Sequence, residues 1–198
     1  MRKITTRKDK EKKKRRTQII VGVILVGVML FSVLGYSFQG QEEPVSKTVN
    51  YKGFEFFPQN NFWFLEMGSF QFLFKYNPKE VPNIDKEINK LSSYANKPLY
   101  ISSSNQEAEF EIYNNLDQVI LRRQYACLNL GNISSNAYEP IECAEELPIK
   151  TCEDNFIIIQ ESDVQEIAQE GNCVFIKGPI ENLTKITDEF LFKIIGIE

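Results

Sequence analysis

Acidic residues stand side by side at several places in the sequence, notably at Glu145-Glu146 and Glu153-Asp154. Two carboxyl groups at a suitable separation can hydrolyse a glycosidic bond, and a set of them can bind a hard cation. Glycosidase carboxylates usually come from separate elements of a fold, so neighbours in sequence are weak candidates. We therefore interpret both pairs as solvated surface. A deep pocket with converging Asp, Glu, Lys or Tyr side chains would favour a hydrolase instead.

Composition removes most other catalytic arrangements. The chain has no His, which excludes Ser-His and Cys-His nucleophile pairs. Its glycines are isolated, and no GxxxxGK[ST] phosphate loop occurs. Without His or a Cys-x-x-Cys pair, a metal site and a thioredoxin-like redox centre are also disfavoured. The sequence therefore predicts no catalytic residue, no metal and no cofactor.

Four cysteines lie in the C-terminal part of the chain, at Cys127, Cys143, Cys152 and Cys173. An even number of cysteines in an exported segment indicates disulfides, and three pairings of four cysteines exist. We favour Cys127–Cys143 with Cys152–Cys173, because each bond closes a short loop. In the chain-entropy description each such loop stabilises the fold by about 3 kcal/mol.

Charge is divided between the two ends of the chain. Residues 1–17 contain ten Lys or Arg and two acidic residues, a balance of +8. Since the whole chain carries −4, the remainder carries −12. Such asymmetry indicates different surroundings for the two parts. The basic tail lacks interleaved aromatics, so we expect no nucleic-acid partner and interpret it as a solvated segment near anionic lipid headgroups.

An apolar run begins directly after the basic tail, as the stretch Glu11–Leu30 shows: EKKKRRTQIIVGVILVGVML. The run Ile19–Phe38 has 20 residues and no charge, enough to span about 30 Å of hydrocarbon. We predict an uncleaved transmembrane anchor at residues 18–38, since a signal peptide has a shorter core and a small-residue cleavage site. Basic residues stay cytoplasmic, so the C-terminal part lies outside the cell membrane. A weaker alternative is a pilin-like processing site at Arg16-Thr17-Gln18.

The anchor is followed by a polar stalk, residues 39–50, and by one domain, residues 51–198. Three strands open the domain: Tyr51–Phe57, Phe62–Met67 and Phe70–Tyr76. The third strand alternates aromatic residues, which we expect to fill a core. Gly68-Ser69 and the stretch Pro58–Asn61 predict the turns between the strands.

Three helices and four further strands are predicted after this meander. Ile84, Ile88 and Leu91 are at helical spacing behind a capping Asn83. A long helix opens at Ser104-Asn105, carries the apolar stripe Ala108, Ile112, Leu116 and Val119, and ends near Cys127–Asn129. Asn182 caps a last helix with Leu183, Ile186, Phe190 and Ile194 on one face. The strands are Pro98–Ser102, Asn155–Gln160, Val164–Gln169 and Cys173–Lys177. The predicted class is α+β: one transmembrane helix, then a mixed sheet domain that opens with an antiparallel meander and is packed by about three helices.

Two glycosylation sequons lie on the predicted outer side, at Asn132-Ile-Ser134 and Asn182-Leu-Thr184. Asn132 belongs to a long loop and is the better acceptor candidate. Asn182 stands at a helix start, where its amide can serve as a cap.

The order of segments resembles a known pattern: basic tail, anchor, YKGFEFF, FLFKYNP, TCEDNFIII, NCVFIKG and TDEFLFKIIGI. It is similar to an uncharacterised family of small single-pass membrane proteins encoded in archaeal genomes. The resemblance covers nearly all of the chain and implies an archaeal, outward-facing domain. It implies no activity and transfers no functional residue.

Three functions are compatible with these observations. The leading hypothesis is a non-enzymatic ectodomain that binds another envelope protein or a surface polymer, or that organises the cell envelope. The second is an envelope hydrolase that uses carboxylates. The third is a pilin-like subunit, which would need a helix continuous from the anchor into the domain.

Overall fold

The computed structural model describes residues 7–38, 48–129 and 143–197. The chain divides into two compact units, residues 1–45 and residues 46–198. In the described residues the first unit holds one helix, and the second holds two sheets, a short strand pair and two helices. The α+β class with an antiparallel opening meander is confirmed.

The first unit is the helix α1, Arg7–Phe38, which contains the whole predicted anchor. Its stretch Lys14–Ser32 has a mean hydropathy of 1.5, so α1 is long and apolar enough to cross a membrane by length and composition. A signal sequence near an N-terminus meets the same criterion. Large apolar side chains cover its surface, with Phe31 78% and Met29 73% exposed. Such a surface is suited to lipid.

The second unit opens with a four-stranded antiparallel meander in the order β1-β2-β3-β4. Its strands are β1 Val49–Tyr51, β2 Phe54–Gln59, β3 Phe62–Met67 and β4 Phe70–Phe74. The predicted single strand Tyr51–Phe57 is wrong, because the chain turns at Lys52-Gly53 with φ angles of 46° and 89°. Asn60-Asn61 makes the next turn, also at positive φ, so Pro58 is part of β2. Both are two-residue hairpin loops that need left-handed backbone.

A second, mixed sheet has the order β10-β11-β9-β5-β6. Only β10 and β11 pair antiparallel; the other neighbours are parallel. The central strand β9 is buried from Asn155 to Ile159, as its continuous apolar run predicts. The strand bounds are β5 Pro98–Ser103, β6 Arg122–Tyr125, β9 Asn155–Glu161, β10 Glu166–Glu170 and β11 Cys173–Gly178. A separate parallel pair joins β7 Cys127–Leu128 to β8 Ile149–Lys150.

The domain helices are α2, Gln106–Leu116, and α3, Leu183–Ile195. The Asn105 side chain accepts a hydrogen bond from the Ala108 amide at 2.9 Å and so caps α2. The helix ends eleven residues before Cys127, earlier than predicted, because the chain turns at Leu116 and joins the sheet edge as β6. Ala108, Ile112 and Leu116 form the expected buried stripe.

The predicted helix over Ile84–Leu91 does not form, so the expected capping role of Asn83 is wrong. The segment has irregular structure until a single 3₁₀ turn at Leu91–Ser93. Its backbone amides bond to side chains of other elements instead. The Ile84 amide donates to Glu189 Oε1 at 3.2 Å, and the Asn89 amide donates to Gln169 Oε1 at 2.7 Å. Long-range hydrogen bonds therefore replace the helical ones at this segment.

One core connects both sheets through α3. The Phe192 ring lies 5.7 Å from that of Phe56 and 4.5 Å from that of Phe74, both in the meander. The same helix packs on β11 of the mixed sheet. Every residue of α3 except Lys185 is buried. A smaller cluster around Phe156 and Phe175 covers the other face of the mixed sheet.

Two side-chain amides, Asn115 in α2 and Gln118 just after its end, cover the outer edge of β4. Asn115 Oδ1 accepts from the Leu73 amide at 2.7 Å, while Asn115 Nδ2 donates to the Leu73 carbonyl at 2.6 Å. Gln118 bonds the backbone of Gln71 in the same way, at 3.3 and 2.9 Å. The helix thus supplies the hydrogen bonds that a further strand would make.

We expect Asn115→Ala to lower the free energy of unfolding by about 2 kcal/mol, because Asn115 is fully buried and its loss leaves the Leu73 peptide groups without partners. Gln118→Ala is the matched control. Its amide bonds are solvent-exposed, so the expected loss is under about 1 kcal/mol. Urea denaturation followed by fluorescence of the single tryptophan, Trp63 in β3, measures both. Equal losses for the two variants would contradict the bridging role.

Candidate functional site

The polar side of α2 builds the site. Glu107, Glu111 and Asn115 recur every four residues, so their side chains follow one side of the helix. Asn115 bonds to β4, and Glu111 hydrogen-bonds Asp188 of α3. This side of the helix therefore joins the meander to α3.

Glu111 and Asp188 form a carboxyl pair between the two helices. Glu111 is 2% exposed and Asp188 is fully buried. The Tyr76 amide donates to Asp188 Oδ2 at 2.8 Å. Among the described residues, no N–H or hydroxyl group donates to Glu111 Oε2 or to Asp188 Oδ1. Because the two carboxyl groups hydrogen-bond each other, one of them must carry a proton.

Burial sets the protonation of this pair. It raises the pKa of Glu111 from an ordinary 4.5 to about 7, although the hydrogen bond to Asp188 and the backbone of Lys75 act in the opposite direction. Burial, followed by the charge of Glu111, also raises the pKa of Asp188 well above its ordinary value. The pair therefore keeps a proton at neutral pH and titrates as one unit.

Four further ionisable groups surround the pair. Glu107 lies one turn before Glu111 on α2, and its charge raises the pKa of Glu111 further. Lys75, which follows β4, lowers it, and the Lys75 Nζ lies 5.3 Å from the centre of the Phe62 ring. The Tyr76 hydroxyl has a raised pKa, first through burial and then through Asp188, while Lys185 Nζ lies 5.1 Å from the Tyr76 ring centre.

A groove of about 320 Å³ opens beside the pair; we call it the α2 groove. Its apolar walls are the rings of Phe62 and Phe110, and Phe110 is 50% exposed. Its polar groups come from Lys75, Gln106, Glu107, Glu111 and Thr184. The volume is at the lower end of the range for small-ligand pockets.

Only one carboxyl group of the pair reaches this groove. Glu111 lines it, whereas Asp188 lies behind Glu111 with no exposed surface. Glycosidase carboxyl groups flank the bond that they cleave and lie about 5 Å or more apart, which leaves room for substrate or water. Two hydrogen-bonded carboxyl groups leave no such room. The arrangement can bind a ligand and exchange a proton with it.

A second depression of about 410 Å³ lies between residues 85–90 and Lys193. Its charges are of both signs, with Asp85 and Glu87 beside Lys86 and Lys90. Lys90 Nζ donates to the Lys193 carbonyl at 3.4 Å, and Lys193 forms a buried ion pair with Glu189 at 3.2 Å. Two of its cationic groups are thus engaged within the fold, and we regard it as structural.

The acidic neighbours singled out in the sequence are not part of the α2 groove. Glu145, Glu146 and Glu153 are exposed, as expected for solvated surface. Asp154 is half-buried and pairs with Lys150 at 3.6 Å. The carboxyl groups that converge in the structure belong instead to two different helices.

The cysteines lie near the smaller core. Disulfides join Cys127 to Cys143 and Cys152 to Cys173, with Cα–Cα distances of 5.8 and 4.9 Å. This is the pairing that closes the two short loops. Cys173 is fully buried at the start of β11, so the second bond attaches the preceding segment to the mixed sheet.

The two sequons remain predictions. Asn132 lies outside the described residues. Asn182 is at the start of α3, but its side chain makes no capping hydrogen bond, so the expected capping role of this amide is wrong. Thr184 of the same sequon is 6% exposed and lines the α2 groove.

Sequence reasoning missed Glu111 and Asp188. A signal for Asp188 was present, because Thr187, Asp188 and Glu189 interrupt a helix that is otherwise apolar on several sides. Acidic residues inside such a helix must find partners or remain protonated. No comparable signal marked Glu111, whose polar neighbours on α2 suggest ordinary exposed surface.

No group of three or more His, Cys, Asp or Glu side chains in the described ranges is arranged to hold a metal ion. In comparisons with known proteins, no family model, no curated protein and no solved structure matches this chain. The site is therefore interpreted from its own geometry.

We expect the carboxyl pair to make the fold less stable as pH rises. The folded state retains a proton that unfolded Glu111 releases near pH 4.5, so its contribution is complete below that pH and is lost between pH 4.5 and about pH 7. The loss amounts to roughly 3 kcal/mol at most. Glu111→Gln should remove it, because an amide does not titrate and can still hydrogen-bond Asp188. Urea midpoints of both proteins between pH 4.5 and 8 measure this difference; parallel curves would contradict it.

Proposed function

We propose that this chain is a membrane-anchored, extracytoplasmic binding protein whose ligand occupies the α2 groove. The observation that carries the binding role is the groove itself, which is lined by two phenylalanine rings and by Glu111 of the buried, proton-bearing carboxyl pair. Buried ionisable groups beside a cavity are typical of functional sites. A domain that needed only to fold would gain stability from apolar residues at these positions.

Anchoring is supported by α1 and by the charge before it. The helix is apolar enough to cross a bilayer, and residues 1–17 carry a balance of +8. Basic residues next to a membrane span stay on the cytoplasmic side, which favours an outward-facing domain. The disulfides are consistent with an oxidising compartment.

The expected partners are the lipid bilayer and another envelope protein or a surface polymer. A groove of about 320 Å³ admits a small ligand or one protruding group of such a partner. A single-pass archaeal family, which the order of segments resembles, is compatible with this role and stays a prediction.

A hydrolase is the second candidate, because Glu111 has a pKa of about 7 and lines a groove, as a general acid would. The placement of the second carboxyl group weighs against it. Glu107 also lines the groove, but it lies one turn before Glu111 on the same side of α2, whereas glycosidase carboxyl groups flank the bond that they cleave. We therefore place binding before hydrolysis.

A pilin-like subunit is supported least. That role needs a helix that runs from the anchor into the domain. Gly35, Gly40 and Pro44 disfavour such a helix, because glycine and proline weaken or break helices.

The orientation is tested with two single-cysteine additions, Thr5→Cys in the tail and Val164→Cys in the domain, where Val164 is 66% exposed. The native cysteines are disulfide-bonded and should not react. We expect a membrane-impermeant maleimide to label Val164→Cys on intact cells, and Thr5→Cys only after permeabilisation. Labelling in the reverse order would show that the domain faces inward.

The binding role is tested by placing the photo-crosslinking residue p-benzoylphenylalanine at Phe110 in the full-length chain. The matched control is Ile149, which is 70% exposed and does not line the groove. After irradiation of native membranes we expect an adduct from Phe110 that Ile149 does not give. We also expect Phe62→Ala to abolish it. Identical adducts at both positions, or none at Phe110, would contradict binding at this groove.

A further inference from the structure

We infer that the ligand of the α2 groove is a small organic cation, with an ammonium group on an apolar body. This inference rests on the proposed binding function and deepens it. The groove combines ring faces with carboxyl groups, and both attract positive charge. An ammonium group would meet Glu107 and Glu111, while the apolar body would lie against Phe110.

The chain itself shows that an ammonium group is stable at this groove. Lys75 Nζ lies 5.3 Å from the centre of the Phe62 ring, within the range for a cation–π contact. Its charge also favours the ionised form of Glu111. A ligand ammonium would have the same two kinds of partner, a ring face and a carboxylate.

Charge counting favours a cation as well. Two carboxyl groups, Glu107 and Glu111, line the described groove, and Lys75 is the one cation among its lining residues. Lys185 is directed to the Tyr76 ring, 5.1 Å from its centre. Outside residues 1–17 the chain carries −12, which attracts cations at longer range. An anion would meet these carboxylates at close distance.

The carboxyl pair explains how the empty site avoids a buried charge. Burying an ionised carboxylate without a partner is costly, and below the pKa of Glu111 both Glu111 and Asp188 hold a proton, so the pair is uncharged. An arriving ammonium group supplies the positive charge instead. The proton of Glu111 then leaves to solvent, Asp188 keeps its own proton and donates it in a hydrogen bond to Glu111, and Glu111 remains as the carboxylate that pairs with the ligand. Binding is therefore coupled to the release of a proton.

Two amide substitutions test the roles of Asp188 and Glu111 in this mechanism separately. In Asp188→Asn the amide oxygen can still accept from the Tyr76 amide, and its NH₂ can donate to Glu111, which remains buried and titratable. In Glu111→Gln the groove keeps Glu107 but loses its titrating carboxyl group, although the hydrogen bond to Asp188 is retained. Both variants preserve the bond between α2 and α3.

The test uses the full-length chain in phosphatidylcholine nanodiscs, with empty nanodiscs as a blank. Three probes of nearly equal shape are compared by saturation-transfer NMR: 2-phenylethylammonium, neutral 2-phenylethanol and anionic 3-phenylpropionate. The ammonium probe stays protonated up to pH 8, because alkylammonium groups titrate near pH 10. Any change of its affinity between pH 6 and pH 8 therefore comes from the protein.

We expect the ammonium probe to bind at least tenfold more tightly than the other two, and about five- to tenfold more tightly at pH 8 than at pH 6. Asp188→Asn should keep both the preference and the pH dependence, because Glu111 stays buried and titratable. Glu111→Gln should remove the pH dependence and weaken the preference to what Glu107 alone provides. Glu66→Gln, an exposed carboxyl on β3 outside the groove, should change neither.

Failure of this inference is distinguishable from failure of the proposed function. If alcohol and ammonium bind equally and both are lost in Phe110→Ala, the groove is a binding site and the cation is the wrong class. Tighter binding of the anionic probe would have the same meaning. If no probe binds and Phe110 also gives no specific crosslink, the binding function itself is overturned.

Discussion

The structure depends on the burial of α3, which places charged side chains inside the fold. Nearly every side chain of this helix is buried, yet it carries Asp188, Glu189 and Lys193. Glu189 is compensated by Lys193 one turn later and by the Ile84 amide. Asp188 is compensated by the Tyr76 amide and by Glu111 of α2. Because Asp188 and Glu189 need these partners, both α2 and the segment after the meander pack against α3. The groove opens at this junction.

Much of this fold follows from hydrophobic periodicity. The strands β3 and β4, the central β9, the stripe of α2 and the face of α3 were all predictable, because burial on a known period depends on local sequence alone. The errors lie where distant groups decide. Residues 84–91 have a helical pattern, but side chains of α3 and β10 bind their backbone. The end of α2 is decided by pairing with β5.

The site was less accessible to sequence reasoning. The two carboxyl residues lie on different helices, and their meeting depends on how α2 packs against α3. The sequence around Glu111 is polar, as at an exposed position on a helix. Only the tertiary packing buries this residue, which is 2% exposed. Glu145 and Glu146 are conspicuous in the sequence because they are neighbours. Adjacency in sequence does not indicate whether a side chain lies near a groove. The chemistry arises from tertiary structure.

The amides of Asn115 and Gln118 have one more consequence, which concerns crowding. The sequence of β4, FQFLF, is aromatic and uncharged and contains no proline, the composition of segments that assemble into cross-β fibres. A chain held in a membrane by α1 would meet copies of itself at high local density in two dimensions. An open β4 edge would then template intermolecular pairing. By occupying that edge, α2 keeps neighbouring copies separate, so the helix that lines the groove also protects the protein from aggregation.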